Sequence, residues 1–497
     1  MMRATTRLSR LYASHPQRCP VSYLETDENE ANIDIYKSGG TDVCPLVDPC
    51  FLVPAVLNGL RASTQYRNIT EVVPGEADHF CAADISMYGG VLITSDSDML
   101  VHNLEEGKVT FFRDLHIKPG LCIKFLGFAP RQMFDRIGLA YPEKAIQLAF
   151  GRKIAPQATL SQLINMCSRP APRSADYIEF LGNYIQSAEV ARLHQVALDI
   201  PCLNDLDPRV SEFILEFHLR RSNVFANSPI KVFLPSLMEC PGLRSAWDRS
   251  SHIRQLAYSI ASYILPENDG CLEIREFRRV ASALHAGRKV KLLPPLLARE
   301  YVDDILSCAK CFNADIQLPG NDFSIFLAIA LDKMESFQNG RETLTDTIDE
   351  WFDCQALKSR DSMSWGNVHI AAQVQATLYS LRVLQQSLRS ALSPKIGKLL
   401  PGATKLCTLL SELIPVELYP PPTKLLRMVR DFQQSRSLHS LDAIFVKRFC
   451  EDEPNSDKSD GIESTLTDDS ESILSARSGT NTNYDQNNPF SVLDLEG

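Results

Sequence analysis

The feature that most constrains the fold is a short apolar run, Val91–Thr94, which ends directly before an acidic pair, Asp96 and Asp98. A run of four apolar or β-branched residues is typical of a strand buried in a parallel sheet. In an open α/β sheet, ligands bind at the carboxyl ends of the strands. The two aspartates are therefore predicted to lie at the ligand-binding end of such a sheet.

A second acidic pair precedes this run. The β-branched run Asn68–Val73 predicts a strand, Pro74-Gly75 ends it, and Glu76–Met87 is predicted as a helix that opens with Glu76 and Asp78. The resulting strand–helix–strand order indicates an α/β layer. Residues 99–103 and 109–113 flank Glu105-Glu106-Gly107 and are predicted to form a hairpin.

The chemistry of these four acids has two interpretations. Carboxylates brought close together repel one another unless a cation lies between them, and Mg²⁺ prefers oxygen ligands. Two such ions about 4 Å apart can activate water and stabilise the leaving oxygen of a phosphodiester. Alternatively, Asp-Ser-Asp is an ordinary loop string, and acids at a helix start are favoured by the helix dipole.

The rest of the chain divides by composition into a helical zone and an acidic tail. Residues 129–450 are predicted to be helical, with Pro130 in a first turn and Gly138 as a stop. Two helical faces are predicted, one of Ile178, Leu181 and Ile185, the other of Val374, Leu378, Leu381, Leu384 and Leu388. We therefore expect domains at 1–128, 129–450 and 451–497, the last one disordered because it is rich in Ser, Asp, Asn and Thr.

Charge and composition exclude several classes of protein. The formal net charge is −10, and residues 451–497 carry all of it, because the other 450 residues hold 49 acids and 49 bases. That balance excludes a strongly basic nucleic-acid coat protein. The longest apolar run, Phe323–Leu331, is too short for a bilayer that needs about 20 residues. Of the 14 cysteines only Cys308 and Cys311 are closely spaced, so a zinc site is not expected. Cysteines without a disulfide pattern indicate that the protein resides in a reducing compartment.

The acidic motifs also carry a family resemblance. Pro74-Gly-Glu-Ala-Asp and Thr94-Ser-Asp-Ser-Asp-Met-Leu-Val resemble the internal motif P-G-E-A-E…T-x-D-x-D-x-L of the XPG/flap-endonuclease family. More closely, the chain is similar to fungal Asteroid-domain proteins, over roughly residues 5–285, through strings such as Phe233-Leu-Pro-Ser-Leu and Ser245-Ala-Trp-Asp.

This resemblance implies a PIN-like α/β domain with a partial, mostly parallel sheet, followed by a largely α-helical domain and the acidic tail. It implies that Glu76, Asp78, Asp96 and Asp98 are the catalytic residues and the ligands of Mg²⁺ or Mn²⁺, with Asp78 in place of a second Glu. Two earlier aspartates of the family, one of them in F-D-G, have no counterpart in the sequence. The family's last aspartate, in L-G-x-D, corresponds to Ala129 in Leu126-Gly-Phe-Ala.

We therefore expect a metal-dependent phosphodiesterase fold that is truncated or catalytically degenerate in this chain. The alternative is a non-catalytic scaffold that binds nucleic acid or protein, and a third hypothesis is a signalling scaffold that recruits a protein through the acidic tail. DNA is a more natural partner than RNA, and no membrane partner is expected. Family analogy favours the nucleus or cytosol, while the arginine-rich segment 1–20 leaves a mitochondrial transit peptide as an alternative.

Two basic clusters are the candidate phosphate contacts. The first contains Arg275, Arg278 and Arg279, and the second contains Arg288, Lys289 and Lys291. The alternative interpretation is that both clusters are solvated faces of helices, without a ligand.

Overall fold

Helices dominate the part of the chain that the structure, a computed structural model, describes. The described residues are 2–24, 50–73, 76–118, 122–184, 200, 202–221, 229–265, 273–280, 283–284, 287–315, 320–344 and 362–434. In chain order the α-helices are α1 (Met2–Ser14), α2 (Leu52–Ala62), α3 (Ala77–Tyr88), α4 (Pro130–Arg136), α5 (Glu143–Ile154), α6 (Leu160–Cys167), α7 (Ala175–Gly182), α8 (Pro208–Arg221), α9 (Ser251–Ser262), α10 (Pro295–Asp315), α11 (Gly320–Gln338), α12 (Trp365–Ala391), α13 (Pro394–Leu399), α14 (Ala403–Ser411) and α15 (Pro422–Gln434). Within the described residues, no helix is long and apolar enough to cross a bilayer.

The strands are short and form several small sheets. They are β1 (Arg18–Pro20), β2 (Val91–Thr94), β3 (Lys108–Phe111), β4 (Leu115–Lys118), β5 (Cys122–Phe125), β6 (Ile230–Phe233), β7 (Ile274–Phe277), β8 (Arg279–Val280), β9 (Ala283–Leu284), β10 (Arg288–Val290) and β11 (Ser362–Ser364). Strands β2 and β3 pair in parallel, β4 and β5 pair antiparallel, and β6, β7 and β10 form a three-stranded mixed sheet. The observed architecture is thus helix-rich with small sheets.

The chain folds as two compact units. The first comprises residues 1–72 and 198–456, and the second comprises residues 73–197 and 457–497. The boundaries of these units differ from the domain boundaries predicted at 128/129 and 450/451. The division into three domains, which was inferred from composition, stays a prediction. The tail from Glu451 onward, predicted to be disordered, lies outside the described residues.

The first unit is built around α12, which is buried on nearly all sides and packs against α9 and α14. The predicted apolar face of this helix is confirmed, because every one of its five residues from Val374 to Leu388 is buried. At the start of the chain, Leu8 and Leu11 of α1 are buried in a cluster with Trp365 and Val368. The apolar face of the cationic helix α1 therefore forms part of the core of this unit.

The two basic clusters lie on strands β7, β8 and β10 and their links, so the interpretation as solvated helix faces is wrong. Arg278 and Arg279 are buried, and ion pairs join Arg275 and Lys289 to Glu273, Arg278 and Arg288 to Asp248, and Arg279 to Glu239. Cations that are already neutralised by neighbouring carboxylates have little charge left to attract phosphate. These clusters are therefore poor candidates for phosphate contacts.

The second unit begins with α3, β2 and β3. Its first core cluster consists of Ala82, Met99, Leu100, Leu104, Val109 and Phe111. A larger cluster, which includes Phe150, Tyr177, Phe180 and Tyr184, lies among α4 to α7.

Several local predictions for this unit are confirmed. The predicted helix at 76–87 is α3, the strand at 91–94 is β2, and α4 begins at Pro130 and ends before Gly138 at φ +72°.

Three further local predictions are wrong. Arg67–Ile69 forms a 3-10 turn, and residues 70–73, which follow it, belong to no strand. The predicted hairpin around Glu105 is absent, because β3 pairs in parallel with β2 and residues 97–100 form a 3-10 turn. Ile178 is 62% exposed, since α7 buries Tyr177 and Phe180 instead. Ile185 lies outside the described residues.

Candidate functional site

The connection between α3 and β2 determines which residues meet at the predicted acidic site. Gly89 and Gly90, with φ of +72° and +108°, reverse the chain directly after α3, a conformation that glycine adopts without strain. The helix therefore runs back along β2, with which it is in contact. The first turn of α3, which carries Asp78, thus comes near the carboxyl end of the strand, which leads to Asp96.

The two acidic pairs are close enough to interact electrostatically. Burial raises the pKa of Asp78 above its ordinary value, and the negative charges of Asp96 and then Glu76 raise it further, while His79 lowers it. Like charges disfavour ionisation of a neighbouring carboxyl. Glu76 and Asp96 are exposed, whereas Asp78 is half-buried. The structure therefore brings Asp78, Asp96 and Glu76 into one negative region.

Asp96 has a local structural role. Its backbone N–H donates to Thr94 Oγ1 at 3.0 Å, and its Oδ1 accepts the backbone N–H of Asp98 at 3.0 Å. This second bond caps the 3-10 turn Ser97–Leu100. An aspartate at this position satisfies an otherwise unpaired backbone donor. The same lone pair that caps the turn is not available to a cation.

Asp98 is engaged by a residue that the sequence did not suggest. Tyr184, which follows α7, is buried in the helical core of the unit, and its hydroxyl lies close enough to the Asp98 carboxylate to interact with it. Burial, together with the charges of Asp98 and Asp96, raises the pKa of Tyr184 above its ordinary value. The phenol therefore stays protonated and remains a donor at neutral pH.

Two histidines complete the surroundings of the acids. The rings of His79 and His102 meet edge to face at 5.5 Å between centroids, and the His102 ring is 5.0 Å from that of Tyr184. Burial, followed by the neighbouring His79, lowers the pKa of His102 to about 4, so this ring is neutral at pH 7. Within the described residues, His102 Nδ1 is buried and has no hydrogen-bond partner. No motif marks Tyr184 or His102, because packing rather than sequence spacing brings them to the acids.

Ala129, which corresponds to the family's last aspartate, lies away from the acids. Val109 and Phe128 exchange two backbone hydrogen bonds, of 2.8 and 2.7 Å, as an antiparallel pair. Residue 129 is thereby opposite Lys108, the first residue of β3. Asp96 instead follows Thr94, whose partner is Phe111, the last residue of β3. About 10 Å of strand separates these two ends.

As arranged, the acidic residues do not fit a resident divalent cation. Mg²⁺ demands a near-octahedral set of oxygen ligands. No group of three or more His, Cys, Asp or Glu side chains in the described part of the chain is placed so that it could hold a metal ion. Glu76, Asp78 and Asp96 create a negative field, but Asp96 caps a turn and the buried Tyr184 hydroxyl lies near Asp98. The set has the charge of a cation site without its geometry.

The closely spaced cysteines Cys308 and Cys311 are on a helix. Both residues lie within α10, and Cys308 is a buried member of its apolar face.

Residues 48–292 match the protein-family model described as XPG domain containing, a range that includes every acidic residue of the candidate site. No curated protein and no solved structure matches this chain.

Proposed function

Because residues 48–292 belong to the XPG/flap-endonuclease superfamily, we propose that this chain binds nucleic acid through a nuclease-derived fold whose cleavage centre is degenerate. Glu76, Asp78, Asp96 and Asp98 are the remnants of that centre. Members of this superfamily typically use divalent metals, so Mg²⁺ or Mn²⁺ is the cofactor that an intact centre would hold. A closer relation to fungal Asteroid-domain proteins remains part of this proposal.

The observation that carries the proposal is the hydrogen bond from the Asp98 backbone N–H to Asp96 Oδ1, which is 3.0 Å long. A cation at Asp96 would have to compete with this bond, and hydrogen bonds to charged groups contribute about 1.5–3 kcal/mol to stability. The buried phenol of Tyr184, which interacts with the Asp98 carboxylate, adds a further cost. Catalytic groups that act as a unit lose about 10⁴–10⁶-fold in rate when members are removed. These features support loss of cleavage rather than a modest reduction.

Retention of nucleic-acid binding is the second half of the proposal. Affinity for nucleic acid depends mainly on phosphate contacts and on base stacking, neither of which requires a catalytic metal. DNA is favoured over RNA because of the superfamily to which residues 48–292 belong. An active nuclease of the same class is the competing function, and the acidic field around Asp78 and Asp96 is the observation in its favour.

Cleavage and binding are tested separately on the full chain. End-labelled flap DNA, single-stranded DNA and single-stranded RNA are incubated with the protein and Mn²⁺, beside the variants Asp96→Asn and Asp84→Asn. Asp84 is an exposed residue of α3, and it serves as the matched control for removal of one acid. We expect no cleavage above the level of Asp96→Asn, together with retained binding in EDTA.

Mn²⁺-dependent cleavage that survives in Asp84→Asn and disappears in Asp96→Asn would show an active nuclease and overturn the degenerate assignment. Absence of both cleavage and binding would overturn the nucleic-acid assignment as a whole.

A further inference from the structure

Two large aromatic side chains of the second unit are exposed close to the β4–β5 hairpin. Phe112 is 60% exposed and directly follows β3, while Phe125 is 47% exposed and ends β5. Leu115, three residues after Phe112, is the register partner of Phe125, which brings the two aromatic positions into one neighbourhood. Large apolar groups that stay in contact with water in a folded protein commonly mark a binding surface.

Positive charge surrounds these rings. Lys108, Lys124 and Arg113 are exposed, and the Arg113 guanidinium lies 5.0 Å from the centroid of the Phe111 ring. Arg113 also has an ion pair with Asp114 at 4.0 Å, whereas Lys108 and Lys124 have no ion-pair partner among the described residues. This differs from the basic clusters on β7, β8 and β10, where carboxylates neutralise the cations.

One lysine and one ring are in direct proximity. A Cβ atom on Gly127 would lie 3.5 Å from Phe125 Cε2 and 3.7 Å from Lys108 Cδ. The ring face and the ammonium group can therefore be reached by neighbouring parts of one ligand. On the hairpin itself, Lys124 is opposite His116, which is also exposed.

The combination of flat aromatic faces and unpaired lysines matches the chemistry of a single-stranded nucleic acid. Bases stack on aromatic side chains with little sequence preference, and the backbone phosphates seek Lys and Arg. In a duplex the base faces are stacked on one another and cannot reach Phe112 or Phe125. An acidic peptide could use the lysines, but it offers no planar groups for the rings.

We propose that Lys108, Phe112, Arg113, Lys124 and Phe125, which we call the 108–125 surface, bind single-stranded nucleic acid by base stacking and phosphate contact. This inference rests on the proposed nucleic-acid function and names the surface that performs it. It needs no metal ion, so it is independent of the state of Asp96 and Asp98. DNA and RNA share the chemistry that the surface recognises, and separate arms of the test distinguish them.

The test is fluorescence anisotropy of the full chain in EDTA, with labelled single-stranded DNA, single-stranded RNA, duplex DNA of the same sequence, and a labelled acidic peptide. For the variant Phe112→Ala/Phe125→Ala we expect the affinity for a single strand to fall at least tenfold, since stacking contributes about 1–3 kcal/mol per base. For Lys108→Gln/Lys124→Gln we expect the slope of log affinity against log salt to decrease by about 1.4, as two phosphate contacts are lost.

Matched controls remove the same chemical groups elsewhere. Tyr88→Ala deletes a 77% exposed aromatic residue at the end of α3, and Lys289→Gln/Lys405→Gln deletes two exposed lysines of the first unit. Circular dichroism verifies that each variant is folded. Both controls should bind a single strand as the unaltered chain does.

Three results would overturn the inference: single-strand binding that the hairpin variants and the controls affect equally, a preference for the duplex, or a preference for an acidic peptide over oligonucleotides. The first result leaves the proposed function intact, because the chain would still bind nucleic acid through another surface. If the unaltered chain binds no nucleic acid at all, the proposed function and this inference fail together. Binding by the unaltered chain therefore distinguishes failure of the inference alone from failure of both.

Discussion

Arg254 and Glu276 form an ion pair that is closed off from solvent. Arg254 Nε lies 2.7 Å from Glu276 Oε1, Nη2 lies 3.0 Å from Oε2, and the side chains are 0% and 2% exposed. Tyr258 donates to Glu276 at 2.9 Å, and Arg254 donates to Ser380 at 2.9 Å. Burial alone would raise the pKa of Glu276, but the charge and hydrogen bonds of Arg254 bring it below its ordinary value. Both groups are therefore charged at neutral pH.

Neutralising this glutamate should destabilise the first unit strongly. Glu276→Gln keeps the size of the side chain but leaves the Arg254 charge buried without a counter-charge, which costs about 3–5 kcal/mol in unfolding free energy. Urea denaturation followed by circular dichroism measures the change. Glu300→Gln, an exposed position of α10, is the control and should stay within about 0.5 kcal/mol. A loss below about 1 kcal/mol for Glu276→Gln would mean that the pair is not enclosed in solution.

Burial of His252 should make the first unit less stable as the pH falls below 6.5. Burial, followed by the charges of Arg254 and Arg341, lowers the pKa of His252 from 6.5 to about 3. Between these values the unfolded chain takes up a proton that the folded chain does not, so stability decreases by up to about 1.4 kcal/mol per pH unit. Burial raises the pKa of the facing Glu335, so this carboxyl works in the opposite direction as the pH falls towards 4.5, in the unaltered chain and in a His252 variant alike.

The measurable window is therefore pH 7 to 5. His252→Gln should reduce the loss of unfolding free energy across this window by on the order of 2 kcal/mol relative to the unaltered chain. Urea midpoints at successive pH values give the slopes. Equal slopes for the two proteins would mean that His252 titrates alike in the folded and unfolded states.

Removing the hydroxyl of Tyr184 should release Asp98 for cation binding. Tyr184→Phe deletes the hydroxyl while keeping the ring, so we expect Mn²⁺ affinity to rise about tenfold or more, because the cation no longer competes with a donor to a charged group, which contributes about 1.5–3 kcal/mol. Isothermal titration calorimetry measures the affinity. Tyr177→Phe removes a buried hydroxyl from the same helical cluster and should leave Mn²⁺ affinity unchanged. Equal effects of both variants would refute the role of Tyr184.

Ala129 offers a test of the strand geometry. It is the N-cap of α4, with φ −100° and ψ 99°, and makes no side-chain capping bond. Ala129→Asp should stabilise the second unit by about 1 kcal/mol through capping, and Ala129→Asn should do so to a similar extent. Neither should alter Mn²⁺ affinity, since residue 129 lies at the opposite end of β3 from Asp96. Mn²⁺ affinity that rises only in Ala129→Asp would place this residue beside the other acids.

Signals contained within a few residues predicted the local structure well. The apolar run at Val91 defines the start of β2, and Pro130 and Gly138 define the two ends of α4. The predictions that failed involve partners that are distant in sequence. Val109 pairs with Leu92 in parallel rather than with the nearer segment at residues 99–103, and this choice depends on the core that Phe111 and Met99 share.

The candidate site shows the same limit. The order helix–strand predicted that Asp78 and Asp96 would lie at one end of β2, and their charges do influence each other. Tyr184 and His102 could not be predicted, because a single tyrosine or histidine carries no motif and arrives through packing. The prediction for the cations at 275–291 fails for a related reason, because partners such as Glu239, which pairs with Arg279, are distant in sequence.

Strand β2 has a consequence for how the protein behaves at high concentration. Within the described residues it pairs only with β3, and Val91 and Ile93 are 37% and 47% exposed along it. An edge strand with exposed aliphatic side chains and no charged residue can pair with a strand of another molecule and so extend the sheet between molecules. Solubility during concentration, storage and crystallisation trials therefore depends on this four-residue segment, and a lysine at position 93 would act as a gatekeeper against fibrillar assembly.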